Sequence, residues 1–211
     1  MHAEPNYYEI VRHYEDCFAA YGDSHKGVDW PVAEDVPLRY RVMLDCVRAW
    51  YPGLSIMDFG CGTSGLYEFI ESQIVTSVDY CGVDLAPAMI ECSRQKYPCN
   101  DYACVDILAN DTGIGQFDYV IANGVFTEKL MLTQDEMFAY FRELTAKLFS
   151  HCRIGMAFNV MSTHVDWQRD DLFHVSLDDL AGFLGQKITR DYVIRNDYGL
   201  YEYTTYLYKQ D

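Results

Sequence analysis

Ser55-Ile56-Met57-Asp58-Phe59-Gly60-Cys61-Gly62-Thr63-Ser64-Gly65-Leu66 is the stretch that decides the fold. Apolar residues run into an acid, and Gly60, Gly62 and Gly65 follow closely. Glycine lets the backbone turn sharply and approach a ligand without Cβ interference. The next segment, 66–74, has helical composition, and a helix start offers free N–H groups to that ligand. The pattern is a strand, a tight loop and a helix, arranged to hold a nucleotide-like molecule.

Two ligands compete for that turn. The three glycines fit the dinucleotide fingerprint, and Asp84 lies 19 residues past Gly65, where a ribose-binding acid is expected. Asp58, however, stands two residues before the first glycine. A carboxylate there repels a pyrophosphate but suits the ammonium of an amino-acid moiety. S-adenosylmethionine carries an ammonium and a ribose and no phosphate, so the two acids favour it over NAD. Some fifty residues of helical character also precede the first strand, whereas dinucleotide domains often begin with it.

Several motifs carry a family resemblance. Asp58-Phe59-Gly60-Cys61-Gly62-Thr63 resembles motif I of the class I S-adenosylmethionine-dependent methyltransferases. Cys81-Gly82-Val83-Asp84-Leu85-Ala86-Pro87-Ala88-Met89-Ile90 is similar to their second strand and the helix after it. Asp106-Ile107 and Phe117-Asp118-Tyr119-Val120-Ile121-Ala122-Asn123-Gly124 resemble the third and fourth strand regions. In one departure, Ser64 stands where the family usually has a third glycine, with Gly65 next. A slightly altered loop with retained binding is expected. The Gly27-Val28-Asp29-Trp30 loop, Arg39 and the Asp197-to-Glu202 hairpin resemble a bacterial subgroup of small methyltransferases.

The resemblance implies an α/β, three-layer Rossmann-like fold. Its sheet has seven mostly parallel strands ending in a C-terminal antiparallel hairpin, and the N-terminal helices form a cover. Local patterning agrees. Helices are expected over 7–21 and 35–50. Strands are expected over 54–59, 77–84, 102–107, 119–122 and 154–161, with helices over 66–74, 87–97 and 134–149 between them. A short helix over 176–184 and a hairpin of 187–195 with 201–209 close the chain. The expectation is one domain over 1–211, with 1–50 as a cover for substrate and cofactor and 51–211 as the sheet core.

The resemblance also implies site roles. Asp58 and Gly60 face the methionine part of the cofactor, and Gly62 permits its close approach. Asp84 takes the ribose hydroxyls. Asp106 accepts from the adenine amino group, opposite the Ile107 N–H, while Leu85 or Ile107 packs on the ring. Asn123 ends strand four, where the methyl group is handed over. Tyr14, Trp30, Arg39 and Tyr198 are the expected substrate contacts, with Arg39 suited to a carboxylate or phosphate. His164, after strand five, is the candidate general base.

Bulk properties narrow the partners. Of 211 residues, 16 are basic and 32 acidic, a formal charge of −16. Nucleic acid is disfavoured, because phosphate neutralisation needs clustered Lys and Arg. The eight cysteines form no C-x-x-C pair and read as reduced thiols. His2, His13, His25, His151, His164 and His174 are scattered without metal-ligand spacing, so no metal is expected. No basic, apolar N-terminal leader and no membrane-length apolar run is seen, so a cytoplasmic location is expected. The expected reaction is S-adenosylmethionine-dependent methylation of a small polar or anionic metabolite, or of a sugar-linked intermediate, oxygen slightly favoured. S-adenosylhomocysteine is the implied product. A non-catalytic cofactor-binding partner is the alternative, and an NAD-dependent oxidoreductase a remote one. Acceptor identity and oligomeric state stay open.

Overall fold

The computed structural model describes residues 5–74 and 76–210, which leaves His2 outside the described residues. An eight-stranded sheet runs through them. Its strands are β1 (Leu54–Phe59), β2 (Val78–Asp84), β3 (Asp101–Cys104), β4 (Phe117–Phe126), β5 (Cys152–Ser162), β6 (His174–Val175), β7 (Tyr192–Arg195) and β8 (Glu202–Tyr208). The order is β3-β2-β1-β4-β5-β8-β7, with β6 paired to β5. Pairing is parallel from β3 through β5, and β8 is antiparallel to both β5 and β7. The extra strand beyond the expected seven is the two-residue β6, which pairs in parallel with the end of β5.

Both sheet faces are buried, as a parallel sheet requires. Along β1, Leu54 and Ile56 enter one core cluster with Met43 and Leu44 of α2 (Val36–Leu44) and Leu66 and Ile70 of α3 (Gly65–Gln73). Met57 and Phe59 enter the other, with Met137, Phe141, Leu144 and Leu148 of α5 (Gln134–Ser150) and Leu180 and Leu184 of α6 (Leu177–Lys187). The remaining helices are α1 (Tyr8–Tyr21) and α4 (Pro87–Lys96). Three layers result.

Element ends depart from the sequence reading for local chemical reasons. The second helix stops at Leu44, preceded by a short 3-10 turn, and does not reach residue 50. Buried Cys46 and Val47 draw the following chain inward. The hairpin then satisfies helix-end carbonyls: Tyr206 donates to the Val42 carbonyl and Tyr208 to that of Cys46. Strand β3 ends at Cys104, three residues early. There Asp106 turns the chain, its Oδ1 accepting the Leu108 and Ala109 amides at 3.0 and 3.3 Å. Strand β4 instead runs on to Phe126, with a register shift after Ala122. Gly124 sits in that irregularity at φ 80°, and its amide donates to Asn159 Oδ1 at 2.7 Å. A bulge of this kind re-aims side chains beside a site.

Candidate active site

The strand order reverses between β1 and β4, and open α/β sheets bind ligands at that switch point, beyond the strands' carboxyl ends. A cavity of about 600 Å³ lies there, within the range of ligand pockets. The glycine turn forms one wall. Gly60 and Gly62 have φ of 71° and 52°. A Cβ on Gly60 would meet Val125 at 2.6 Å, so glycine is required by packing as well as by conformation. Ser64 itself adopts φ 63°, the left-handed position, and its hydroxyl donates to the Tyr102 hydroxyl at 3.1 Å. Serine here carries a backbone geometry that suits glycine, with its side chain tethered.

Two carboxylates flank this turn. Asp58, at the end of β1, is 3% exposed and lines the cavity. Burial pushes its carboxyl up to about 7, with the Asp84 charge adding to the rise and the hydrogen bond from Tyr80 opposing it. Asp84, at the end of β2, accepts from the Gly62 amide at 2.8 Å through Oδ2 and from the Ala86 amide at 2.9 Å through Oδ1. These bonds orient it, and a carboxylate retains further lone pairs for a diol. Burial raises its carboxyl above the ordinary range, and three backbone amides oppose that rise.

The opposite wall belongs to Asn123 and the N-terminal helices. Asn123 lines the cavity, and neither its Oδ1 nor its Nδ2 has a hydrogen-bond partner among the described residues although both are buried. A buried amide left open on a cavity wall is a group that awaits a ligand. Tyr14 lines the cavity from α1 and donates to the Gly124 carbonyl at 3.4 Å. The 22–30 loop crosses the glycine turn: Val28 packs over Gly62 and Trp30 over Gly124. Within it Asp23 pairs with Lys96 at 2.8 Å.

Other expected contacts lie elsewhere. Leu85 lines the cavity, but Ile107 is 1% exposed within the core and Asp106 is not on the cavity wall. Asp106 Oδ2 instead accepts the hydroxyls of Tyr7 at 2.7 Å and Tyr8 at 3.2 Å. Arg39 does not line the cavity either. Its Nε donates to both oxygens of buried Glu202 at 3.2 Å, its guanidinium stacks over Trp30 at 5.3 Å, and its Nη1 has no partner among the described residues. Tyr198 pairs with the Thr204 hydroxyl in the hairpin at 2.9 Å. His164 is exposed on the segment after β5 and does not reach the cavity wall.

The sequence reading passed over His25 and Tyr40, both on the wall. His25 Nδ1 lies 2.6 Å from the Trp30 carbonyl. A carbonyl only accepts, so Nδ1 carries the proton and Nε2 of the neutral ring is an acceptor. The Tyr40 hydroxyl fills the space over Gly65, where a Cβ would lie 2.2 Å from it. Neither residue has spacing that announces it; only the position of His25 just ahead of the Gly27-to-Trp30 loop was a signal.

Comparisons with known proteins agree with this geometry. Residues 57–150 match a family model described as a methyltransferase domain. A Mycobacterium tuberculosis protein that carries a methyltransferase name is 26% identical over 155 residues, 71% of this chain and 90% of that one. Among solved structures, the magnesium protoporphyrin IX methyltransferase of Synechocystis PCC 6803 with bound S-adenosylmethionine aligns over all of both chains, with a TM-score of 0.64 at 18% identity. The S-adenosylmethionine-bound amino pentose methyltransferase of Micromonospora echinaspora aligns over 94% of this chain and 97% of its own, with a TM-score of 0.58 at 14% identity.

Proposed function

The chain belongs to the class I S-adenosylmethionine-dependent methyltransferases, and from that premise we propose that it methylates a small neutral or cationic acceptor with an apolar or aromatic body, at oxygen. The observation that carries this reading is the charge of the wall. Asp23, Asp58, Glu68 and Asp84 line the cavity, and among the described residues no Lys or Arg does. Arg39, the side chain that suited an anion, is committed to Glu202. Lys96 neutralises Asp23 and Glu68 in part, at 2.8 and 3.5 Å, and with Asp58 and Asp84 given to the cofactor no cation on the described wall is left to meet an anionic acceptor. Tyr7, Ile10, Tyr14, Trp30, Tyr40 and Tyr140 supply the apolar surface. Two of the similar structures are enzymes named for small molecules, a metalloporphyrin and an amino pentose, in keeping with an acceptor of modest size.

The bound cofactor supplies an electrophilic methyl on sulfur. The chain's own residues bind, align and dry the site. Asp58 would hold the cofactor's ammonium and Asp84 its ribose hydroxyls, and the absence of a Cβ on Gly60 and Gly62 would let the cofactor approach the backbone. Asn123 hydrogen-bonds the acceptor beside the β4 bulge. His25 Nε2 accepts the acceptor hydroxyl's proton, which a neutral oxygen nucleophile must lose. Trp30 and Val28 close the cavity against water. Alignment and exclusion of water together are worth roughly 7–11 kcal/mol of barrier.

The test is a radiolabelled S-adenosylmethionine assay against matched sets of neutral, cationic and anionic phenols, alcohols and amino sugars. Transfer confined to neutral and cationic acceptors, with ether products, supports the reading. Transfer confined to carboxylate or phosphate acceptors overturns the acceptor class. Tight S-adenosylhomocysteine binding with no transfer to any member favours a cofactor-binding partner protein.

A further inference from the structure

A second cluster of ligating side chains lies outside the cavity, where α1 meets the 22–30 loop. His13 and Cys17 are four residues apart on α1 and so share a helix face. Asp29 reaches them from the loop. His13 Nε2 stands 2.7 Å from Asp29 Oδ2 and 3.8 Å from Cys17 Sγ. One donor atom from each of the three lies within 4.8 Å of the others. We propose that His13, Cys17 and Asp29 form a binding site for a zinc-type divalent cation that fastens the cavity cover to α1.

Geometry and donor chemistry carry the assignment. A tetrahedral zinc shell with Zn–N and Zn–O near 2.0–2.2 Å and Zn–S near 2.3 Å has donor-to-donor edges of roughly 3.3–3.7 Å. The histidine–aspartate separation of 2.7 Å must open by roughly 0.6–0.9 Å and the histidine–cysteine separation of 3.8 Å must close slightly, both within side-chain movement. One nitrogen, one sulfur and one carboxylate oxygen form a mixed set that suits zinc or cobalt and not magnesium or calcium, which prefer oxygen alone. The surroundings favour positive charge. Asp29, Asp16 and Glu128 all act electrostatically on Cys17, and Glu128 itself feels Asp29 and Asp171, with Arg169 and His13 opposing them. Glu128 is half-buried, so a cation nearby offsets a carboxylate that solvent screens poorly. His13, Cys17 and Asp29 are each accessible enough for a hydrated ion to enter.

The consequence reaches the cavity through one short segment. Asp29 stands between Val28, which packs over Gly62, and Trp30, which packs over Gly124. An ion holding Asp29 to α1 fixes both covering side chains at once. The ion takes no part in the chemical step; it acts only through closure of the cover.

The test uses the full-length protein after dialysis against a chelator, titrated with Zn2+ by calorimetry and with Co2+ by absorption spectroscopy. One site per chain, a thiolate-to-cobalt charge-transfer band, and a rise in melting temperature with Zn2+ are expected. Cys17→Ser removes the band and weakens Zn2+ binding at least tenfold. Asp29→Asn weakens it comparably while preserving the loop, because asparagine tolerates the left-handed backbone at this position (φ 55°). No cobalt–thiolate band in the native protein overturns the proposal. So does a band that persists in Cys17→Ser, which would assign the metal to other thiols such as the exposed Cys99 or Cys104. Unchanged Zn2+ affinity in Asp29→Asn does the same. None of these readouts requires a methyl acceptor, so they stand or fall apart from the catalytic reading.

Discussion

The Tyr80 hydroxyl donates to Asp58 Oδ2 at 2.6 Å beneath the glycine turn, in a pocket that holds the Asp58 carboxyl up to about 7. An acid raised in this way binds more protons folded than unfolded between the ordinary carboxylate range and about 7. Its contribution to stability therefore falls as pH rises through that window. Cofactor binding needs the ionised form, so affinity moves the other way. Calorimetry with S-adenosylhomocysteine should show Kd falling as pH rises from 6 to 8. Asp58→Asn should flatten that dependence and weaken binding about 10–100-fold, the worth of one charge-assisted hydrogen bond. The same variant should melt higher than wild type at pH 8, by about 1 kcal/mol or more of stability. Tyr80→Phe, which removes a bond to the ionised form, should move the affinity change toward alkaline pH. A pH-independent Kd in wild type refutes the assignment.

Arg39 and Glu202 join α2 to the start of β8 with both side chains largely out of water, at 14% and 4% exposure. Removing one partner of a buried ion pair costs about 3–5 kcal/mol, because the other charge is left uncompensated. Arg39→Met should therefore lower the melting temperature by roughly 10 °C in a chain of this size. S-adenosylhomocysteine affinity should stay within about twofold wherever the variant remains folded, since Arg39 does not touch the cavity. Adding Glu202→Gln should recover most of the loss. An Arg39→Met variant with native melting and a raised acceptor KM would restore the anion clamp to this residue.

His25 is fixed by one bond, Nδ1 to the Trp30 carbonyl, which aims the basic Nε2 edge of the ring away from its own loop. Positioned general bases contribute about 10²–10⁴-fold. His25→Ala should lower kcat by that order with the acceptor chosen by the assay panel, and leave S-adenosylhomocysteine affinity near wild type. Free imidazole should restore part of the rate. His164→Ala, on the exposed segment after β5, should be neutral. The reverse pattern would return the role to His164.

These contrasts show what a single chain discloses. The turn from Asp58 to Leu66 and the alternation of strands and helices were legible because they are local: glycine positions, apolar runs and acids at strand ends follow one another in sequence. Asp58, Gly60, Gly62, Asp84, Leu85, Asn123, Tyr14 and Trp30 all fall on one cavity. The Arg39 pairing is not legible because its partner, Glu202, stands 163 residues away, and nothing local marks a charge as already neutralised. His164, expected near the substrate mouth, lies exposed on the segment after β5, a placement set by tertiary packing that the end of a strand does not announce. His25 and Tyr40 were invisible because the N-terminal loop reaches the cavity only through tertiary packing, which has no period.

Asp106 shows the same effect in a form that can be measured. The sequence offers it as acceptor for the adenine amino group, yet in the structure Tyr7 and Tyr8 hydroxyls already sit on its Oδ2, and Tyr7 stacks on Tyr140 with ring centroids 4.6 Å apart. Its Oδ1 is held by the Leu108 and Ala109 amides, so the oxygen that remains for a ligand is the one the tyrosines occupy. If adenine binds there, it must displace the Tyr7 hydroxyl, and the cost of that exchange is included in the wild-type affinity. Tyr7→Phe removes the nearer competitor, leaves the Tyr8 hydroxyl at 3.2 Å, and keeps the ring that packs on Tyr140. One neutral hydrogen bond is worth about 0.5–1.5 kcal/mol, so the variant should bind S-adenosylhomocysteine about 2–10-fold more tightly. Asp106→Asn should bind it more weakly and erase the gain from Tyr7→Phe in the double variant. Equal affinity in Tyr7→Phe and wild type would mean that the carboxylate serves only the turn after β3, and that adenine finds its partners elsewhere on the wall.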